Sequence, residues 1–467
     1  MYRKITRFSA GSVWSCAAGR FAPWGGLLQT EGMRALALVA ALLIAGGLLR
    51  GLAGATPTEA TALHEAAHAT GYYSLPAAKL AQAAALHRVE EMLAIGGTLW
   101  TPVQLVLLLA LGWVARMRDA SQRLPARGWM RTAVFVLLFV TATTVLDLPL
   151  GIYAHRTSVE YGLSVQTWLS WFADRGKALV VNWVIGTLLA VVVLACIRRW
   201  PRSWWLRLWP IGTALVLAGV FVTPYVIDPL FNSFEPLSRS DPALVVRLEQ
   251  VVERSGMVIP PERMFLMRAS AKVTGLNAYV TGFGRSKRIV VWVTTVARSS
   301  QDEIALVFAH ELGHYALDHI VLGIGLACGG LLPLFWLGSL GLRALLGRFG
   351  ARWRIAGQED MAALAVLLLV FTVVSAGVEP LGNAISRRME HNADVYGEEA
   401  VHGIVADPQT VGVQSFQTLG ETSLEDPAPH PYFDLWFGTH PPIAERAAFA
   451  AFYNPWVSGE APKYFAR

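Results

Sequence analysis

The chain is poor in cysteine and poor in charge. Its 467 residues include only three cysteines, Cys16, Cys196 and Cys328, too few and too scattered for a disulfide framework or a CxxC metal site. Asp, Glu, Lys and Arg make up 15% of the residues, whereas soluble domains carry about a quarter. The low charge therefore argues against an ordinary soluble domain.

The sequence also lacks the pattern of a nucleic-acid-binding protein. Its formal net charge is +6, but the basic residues lie in short stretches between apolar runs. They form no stripe interleaved with aromatic residues, which nucleic-acid-binding surfaces usually show. We found no internal repeat, and we expect no nucleic acid partner.

Long apolar runs are what the sequence has in abundance. Its residues are 54% hydrophobic, with a mean hydropathy of +0.43. A helix needs about 20 apolar residues to cross a bilayer. A single buried core helix could explain one such run but not several, so we predict a mainly α, polytopic membrane protein with about seven transmembrane helices. The runs lie at 33–53, 96–115, 132–152, 178–197, 208–228, 320–342 and 361–381.

Arginine is concentrated in three short loops, at 116–131, 198–207 and 343–354. With seven spans, these loops and the residues before the first span share one face of the membrane. The positive-inside rule places that face in the cytoplasm. We therefore expect the polar segments 229–319 and 382–467 to lie on the non-cytoplasmic face.

The segment His310-Glu311-Leu312-Gly313-His314 has the HExxH pattern. Residues four apart share one face of a helix, so His310 and His314 can bind one metal ion together. Glu311 then lies beside the water that the metal activates, where a general base belongs. Ser300 and Glu303, just upstream, have the spacing of a helix-capping box.

A second motif supplies a third ligand. Asn383, Arg387, Glu390 and Asp394 have the spacing of one helix face. We predict that Glu390 binds the metal and that Asp394 accepts a hydrogen bond from a ligating histidine. Two histidines and one glutamate leave a fourth position open, which is typical of a catalytic zinc ion. The alternative is a solvated polar stripe on a surface helix, which the pairing with HExxH disfavours.

A second HExxH pattern, His64-Glu65-Ala66-Ala67-His68, follows the first apolar run. No capping box or ExxxD face lies near it, and its surroundings are rich in Ala and Thr. We predict weak, adventitious metal binding there rather than catalysis. Met33 directly opens the first apolar run, so it is an alternative start, and 33–53 is either a signal-like segment or an anchor.

The polar segment after the fifth run combines helix and strand signals. Met264–Met267, Asn277–Thr281 and Ile289–Val296 are rich in strand-forming residues, and the last two are spaced as a hairpin. We divide the chain into a basic N-terminal extension, five spans with their loops, a first metallopeptidase part, a transmembrane hairpin and a second metallopeptidase part. Their bounds are 1–32, 33–228, 229–319, 320–381 and 382–467.

These motifs resemble the type I CAAX prenyl protease family of integral-membrane zinc metallopeptidases. The likeness covers roughly residues 60 to 450. It rests on HELGHYALDH at 310–319, the Asn383-to-Asp394 motif, Asp228-Pro229-Leu230-Phe231-Asn232, Asn277-Ala278-Tyr279, and Thr439-His440-Pro441-Pro442 with Arg446.

The resemblance implies a metalloendopeptidase with one zinc ion and a small, gluzincin-like α+β domain split by the sixth and seventh spans. It implies peptide or protein substrates met at the bilayer, in C-terminal peptide processing or membrane-protein quality control. His440 becomes a donor to the oxyanion of the reaction, and Arg387 an anchor for the carboxylates of the site. Asn277, Ala278 and Tyr279 become an edge strand that pairs with an extended peptide.

The chain departs from the family pattern in two respects. Ala154–Glu160 and Leu163-Ser164 do not follow it, and loop charge places the zinc outside the cytoplasm, whereas eukaryotic members act on cytosolic peptides. The Arg-rich, Lys-poor composition favours a bacterial inner membrane, and bacteria lack prenylated CAAX substrates. His319 is either a second contact of the zinc site or the polar end of a span.

Three alternatives remain on the sequence. A multispanning transporter or channel explains the spans but not the zinc motifs. A site-2-type intramembrane protease also uses HExxH but needs a later Asp-Gly motif inside a span, which is missing. A non-catalytic, chaperone-like relative is the third, although every element of the zinc site is present.

Overall fold

A computed structural model describes residues 71–282 and 287–465. The first part is helical: α1 (Ala77–Ala110), the short α2 (Trp113–Gln122), α3 (Gly128–Glu160), α4 (Trp168–Arg199) and α5 (Trp204–Val222). A π-helical turn at Thr223–Ile227 extends α5 into a last helical turn, Asp228–Phe231.

The second part mixes strands and helices. In chain order it contains β1 (Phe234–Pro236), α6 (Pro242–Arg254), β2 (Met264–Met267), β3 (Ala278–Thr281), β4 (Arg288–Trp292), α7 (Val293–Arg298), α8 (Gln301–Ala316), α9 (His319–Trp353), α10 (Ala363–Val401), α11 (Pro408–Ser423), α12 (Pro431–Phe437) and α13 (Ile443–Phe452). Further short helical turns lie at Leu237–Ser240 and Pro455–Ser458.

Six helices of the described residues are long and apolar enough to cross a membrane: α1, α3, α4, α5 with its extension, α9 and α10. Each overlaps one predicted apolar run from residue 96 onward, which confirms a polytopic helical protein. The helices are longer than the runs, since polar turns continue them beyond the apolar window. The predicted span 33–53 lies outside the described residues.

The six long helices contact one another around a ring, in the order α1, α3, α4, α5, α9, α10 and back to α1. A buried apolar cluster closes one end of this ring, where Val114, Trp204, Trp353 and Met361 meet. Arg118 from α2 reinforces that end, since its Nη1 donates to the Arg354 carbonyl over 2.8 Å and to Asp360 over 2.5 Å.

The mixed α/β elements lie at the other end of the ring. Val165, between α3 and α4, donates its N–H to the Lys272 carbonyl over 3.0 Å, and Lys272 Nζ lies 2.6 Å from an Asp174 carboxylate oxygen. Lys79 at the start of α1 pairs with Glu421 on α11. The three arginine-rich loops therefore lie together at the end remote from the peptidase elements.

The sheet has four strands in the order β1-β2-β4-β3. The β2–β4 pair is parallel, whereas β1–β2 and β3–β4 are antiparallel. The predicted β3–β4 pairing is present, but the predicted strand Ile289–Val296 is wrong after Trp292, where α7 begins. Thr294 and Thr295 explain the change, because their hydroxyls donate to the carbonyls of Gly275 and Asn277 over 2.7 and 2.8 Å.

Candidate metal centre

The centre forms where α8 crosses α10. The Ser300 hydroxyl accepts from the Glu303 N–H, and the Glu303 carboxylate accepts from the Ser300 N–H, so α8 starts with the predicted capping box. Two glycines let the helices touch: a Cβ on Gly313 would lie 3.2 Å from the Ala393 Cα, and one on Gly397 would lie 3.0 Å from the His310 nitrogen. Close contact sets the HExxH face of α8 against Glu390 of α10.

Three predicted ligands converge there. His310 Nε2 lies 3.2 Å from His314 Nε2 and 3.2 Å from Glu390 Oε2, and His314 Nε2 lies 3.7 Å from Glu390 Oε1. Ligand atoms around a tetrahedral zinc ion with bonds of 2.0–2.1 Å are about 3.3–3.4 Å apart. Glu390 Oε2 is buried without a hydrogen-bond partner in the described structure. Spacing, donor type and an unsatisfied carboxylate oxygen together fit zinc.

Asp394 lies behind His310. Its Oδ1 is 2.8 Å from His310 Nδ1, so it can accept the ring proton and leave Nε2 free for a metal. Arg446 of α13 grips the same carboxylate, with Nε 2.9 Å from Oδ2 and Nη2 2.6 Å from Oδ1. The arginine also stacks over the Phe416 ring, 4.6 Å from its centroid.

Arg387 has a different role from the one predicted. Its Nη1 donates to the carbonyls of Asp434 and Gly438 over 2.7 and 2.6 Å, so the prediction that it anchors the carboxylates is wrong. Arg446 is that anchor. Sequence reasoning missed the pairing because 52 residues separate Arg446 from Asp394, and only the family motif containing Arg446 pointed to it.

The end of α12, just before His440, is held in place by two residues of α10. Asn383 Nδ2 donates to the Trp436 carbonyl over 2.5 Å, and Arg387 binds both ends of the same turn. This brings His440 Nε2 within 3.3 Å of Glu390 Oε2. The Thr439 hydroxyl lies 3.0 Å from His440 Nδ1. If the hydroxyl donates, the Nε2 of His440 carries the proton and points at the centre.

The surroundings of the centre shift the pKa values of Glu311 and His440 in opposite directions. Burial raises the pKa of Glu311 to about 7, with His310 opposing and Glu390 adding to the shift. Desolvation lowers the pKa of His440, whose side chain is only partly buried, and Arg446 adds to the effect while Glu390 opposes it. Glu311 can therefore exchange a proton near neutral pH, and His440 stays neutral. A bound zinc ion would lower the pKa of Glu311 by its positive charge.

Strand β3 is the edge of the sheet that lies against α8. The main-chain N–H and C=O groups of Asn277 form hydrogen bonds toward β4 and α7. The N–H donates to the Thr295 hydroxyl, and the carbonyl accepts from the Trp292 N–H. Backbone groups alternate between the two sides of an antiparallel strand. Ala278 and Val280 therefore direct their N–H and C=O groups away from β4, with Ala278 buried and Val280 partly exposed, whereas Tyr279 packs its ring beside Val290 and Trp292.

Two predicted sites remain, the second HExxH pattern and His319. His64–His68 lies outside the described residues. Among the residues that the structure describes, His310, His314 and Glu390 are the group of metal-binding side chains whose ligand atoms lie within 4.8 Å of one another. His319 contacts His314 from the side away from the other ligands, with the two Nδ1 atoms 3.1 Å apart.

Two family models match the chain. One, described as peptidase family M48, covers residues 238–451, and the other, described as the CAAX prenyl protease N-terminal region with five membrane helices, covers residues 67–233. Together they span both the membrane helices and the peptidase elements.

Individual relatives agree with these models. The metalloprotease YhfN of Bacillus subtilis (strain 168) is 34% identical over 69% of this chain and 74% of its own length. A CAAX prenyl protease 1 homolog of Oryza sativa subsp. japonica is 26% identical over 68% and 72%. The crystal structure of S. mikatae Ste24p has the same fold, with a TM-score of 0.71 and 21% identity over 89% of this chain and 99% of that one.

Proposed function

The chain belongs to peptidase family M48 as an integral-membrane zinc metalloprotease of the CAAX prenyl protease group, and we propose that His310, His314 and Glu390 hold its zinc ion. The observation that supports this assignment is the convergence of three ligand atoms at tetrahedral spacing, two of them from the helix that carries Glu311. On this proposal, the peptidase domain consists of 229–319 and 382–467, and the hairpin 320–381 divides it.

A bound zinc ion supplies Lewis-acid chemistry, which polarises the scissile carbonyl and makes a water molecule acidic near neutral pH. Glu311 takes the proton of the attacking water and delivers it to the leaving amine. His440, neutral and protonated on Nε2, donates to the carbonyl oxygen as negative charge develops there.

The substrate is a peptide in extended conformation. Val280, which is partly exposed, pairs with its main chain along the outer edge of β3, next to the buried Ala278 and beside the HExxH helix. Main-chain pairing gives affinity with little demand on side chains. This favours cleavage of membrane-associated peptides of varied sequence, as membrane-protein quality control requires. The name of the rice relative makes processing of C-terminal peptides the second candidate.

The test is cleavage by purified, zinc-loaded protein of an unstructured peptide and its farnesylated counterpart. Glu311→Gln should abolish cleavage of both peptides while zinc content stays at one ion per chain, since Gln cannot accept the proton. Glu421→Gln, at a half-buried residue of α11 paired with Lys79, is the matched control and should cleave like wild type. Equal cleavage by Glu311→Gln would refute the assignment of the base. Zinc binding without cleavage by the wild type would favour a non-catalytic relative, and preference for the farnesylated peptide would favour CAAX processing.

We place the zinc centre on the non-cytoplasmic face of a bacterial inner membrane. The support is charge: Arg116, Arg123, Arg199 and Arg202 are among the arginines grouped at the ring end remote from the peptidase elements. In a variant without native cysteines, Val258→Cys should react with an impermeant thiol reagent in spheroplasts, and Arg123→Cys should react only after permeabilisation. The reverse pattern would place the zinc in the cytoplasm.

A further inference from the structure

His319 is the first residue of α9 and contacts His314 on its second ring nitrogen. The two Nδ1 atoms are 3.1 Å apart, and the rings meet at an interplanar angle of 66°. His319 is 6% exposed. Because His314 Nε2 faces His310 and Glu390, Nδ1 is the nitrogen of His314 that remains for a supporting contact.

A break in the helix creates this contact. On a continuous α-helix, residues five apart are rotated by about 140° and their side chains point apart. Here α8 ends at Ala316, Asp318 takes a left-handed conformation with φ 55°, and α9 begins at His319. Aspartate is among the residues that tolerate this backbone region. The turn brings His319 back against His314. The membrane-spanning helix α9 therefore begins in contact with a proposed metal ligand.

The chemistry assigns a direction to the contact. A histidine that binds zinc through Nε2 carries its proton on Nδ1, and that proton needs an acceptor. The atom in reach is Nδ1 of His319, which then carries its own proton on Nε2. We propose that His319 is a positioning residue that accepts the Nδ1 proton of His314 and thereby fixes the orientation of that ligand; this rests on the proposed ligation by His314.

The two zinc histidines then have different supports. His310 Nδ1 lies 2.8 Å from an oxygen of Asp394, an ionised carboxylate paired with Arg446, whereas on this proposal His314 donates to a neutral imidazole. The centre already contains three carboxylates, Glu311, Glu390 and Asp394, against one arginine. A neutral acceptor satisfies His314 without adding a further buried negative charge, which would be costly to desolvate.

Two substitutions separate an acceptor role from simple packing. His319→Asn places a neutral amide oxygen near the position of Nδ1, and His319→Leu keeps much of the bulk but removes the acceptor. Zinc affinity is measured by competition with a chelator, and the cobalt-loaded protein reports ligand geometry by its visible absorption. We expect His319→Leu to lose about 10–100-fold in zinc affinity, as for other outer contacts of metal ligands, with His319→Asn close to wild type. The cobalt spectrum should change in the Leu variant alone.

His155→Leu is the matched control. His155 is equally buried, at 6% exposed, but lies between Trp168 and Trp171 in the membrane helices, so its loss should leave zinc affinity unchanged. Wild-type affinity in His319→Leu, or equal losses in the Asn and Leu variants, would overturn the proposal. A separate His314→Ala variant tests the ligand assignment: undiminished zinc binding there would refute the proposed centre itself, whereas loss there without loss in His319→Leu would refute only the role of His319.

Discussion

Two arginine–aspartate pairs, one at each end of the helical ring, show how burial changes the free-energy cost of breaking an ion pair. At the metal centre, Arg446 and Asp394 are 2.6 Å apart, with side chains 15% and 5% exposed. At the opposite end, Arg354 and Asp119 are 2.9 Å apart, with side chains 54% and 31% exposed. The exposed pair loses little when broken because water replaces the partner. The buried carboxylate has no such replacement, so the polar contacts of the metal centre depend on one another.

The largest effect should come from breaking the buried pair. Arg446→Met leaves Asp394 as an uncompensated charge, a change that typically costs about 3–5 kcal/mol, and Asp394 should then hold His310 less well. We expect a marked fall in thermal stability in detergent together with loss of zinc. Arg354→Met is the matched variant at the other end and should cost at most about 1 kcal/mol. Similar losses of stability in the two variants would contradict the comparison.

A smaller effect should appear in the pH dependence of the zinc-free protein. Folding raises the pKa of Glu311 to about 7, so protonation of the Glu311 carboxyl stabilises the folded protein. This stabilisation is complete below the ordinary glutamate pKa of about 4.3 and is lost as pH rises through about 7. Glu311→Gln should therefore match wild type near pH 4 and become the more stable protein above pH 7.

The pKa of Glu421 is shifted in the opposite direction to that of Glu311, so its effect on stability has the opposite pH dependence. Its hydrogen bond with Lys79 lowers its pKa, so the small stabilisation it gives is present at neutral pH and is lost on acidification. Glu421→Gln should be slightly less stable than wild type at pH 7 and equal to it at low pH. Thermal unfolding in the presence of a chelator, from pH 4 to pH 8.5, measures both variants. If the difference in thermal stability between Glu311→Gln and wild type did not change with pH, burial would not raise the pKa of Glu311.

The sequence predicted those features that depend on local spacing. An apolar run of about 20 residues identifies a membrane helix by itself, and residues four apart must share a helix face. This is why the spans after residue 96 and the pairing of His310 with His314 could be predicted. The capping box of α8 was predictable for the same reason, since its two members are three residues apart.

Features that depend on distant contacts were not predictable in this way. Nothing local indicates that Arg446 reaches Asp394, or that Arg387 binds carbonyls at the end of α12, just before His440. Strand propensity also failed at Val293, where the Thr294 and Thr295 hydroxyls bond to nearby carbonyls and the chain turns into α7. In each case a tertiary hydrogen bond decides what the local pattern leaves open.

Helix α10 carries one further consequence. It extends over 39 residues, from Ala363 to Val401, with Pro380 inside it, and includes both an apolar span and Glu390 with Asp394. A helix whose apolar length differs from the thickness of the lipid accommodates the mismatch partly by tilting. Because the apolar span and Glu390 belong to one helix, a change of tilt in the span should move Glu390 relative to the histidines of α8, and Pro380 sets how much of that change passes along the helix. The thickness of the surrounding bilayer thereby becomes a physical variable of the zinc centre.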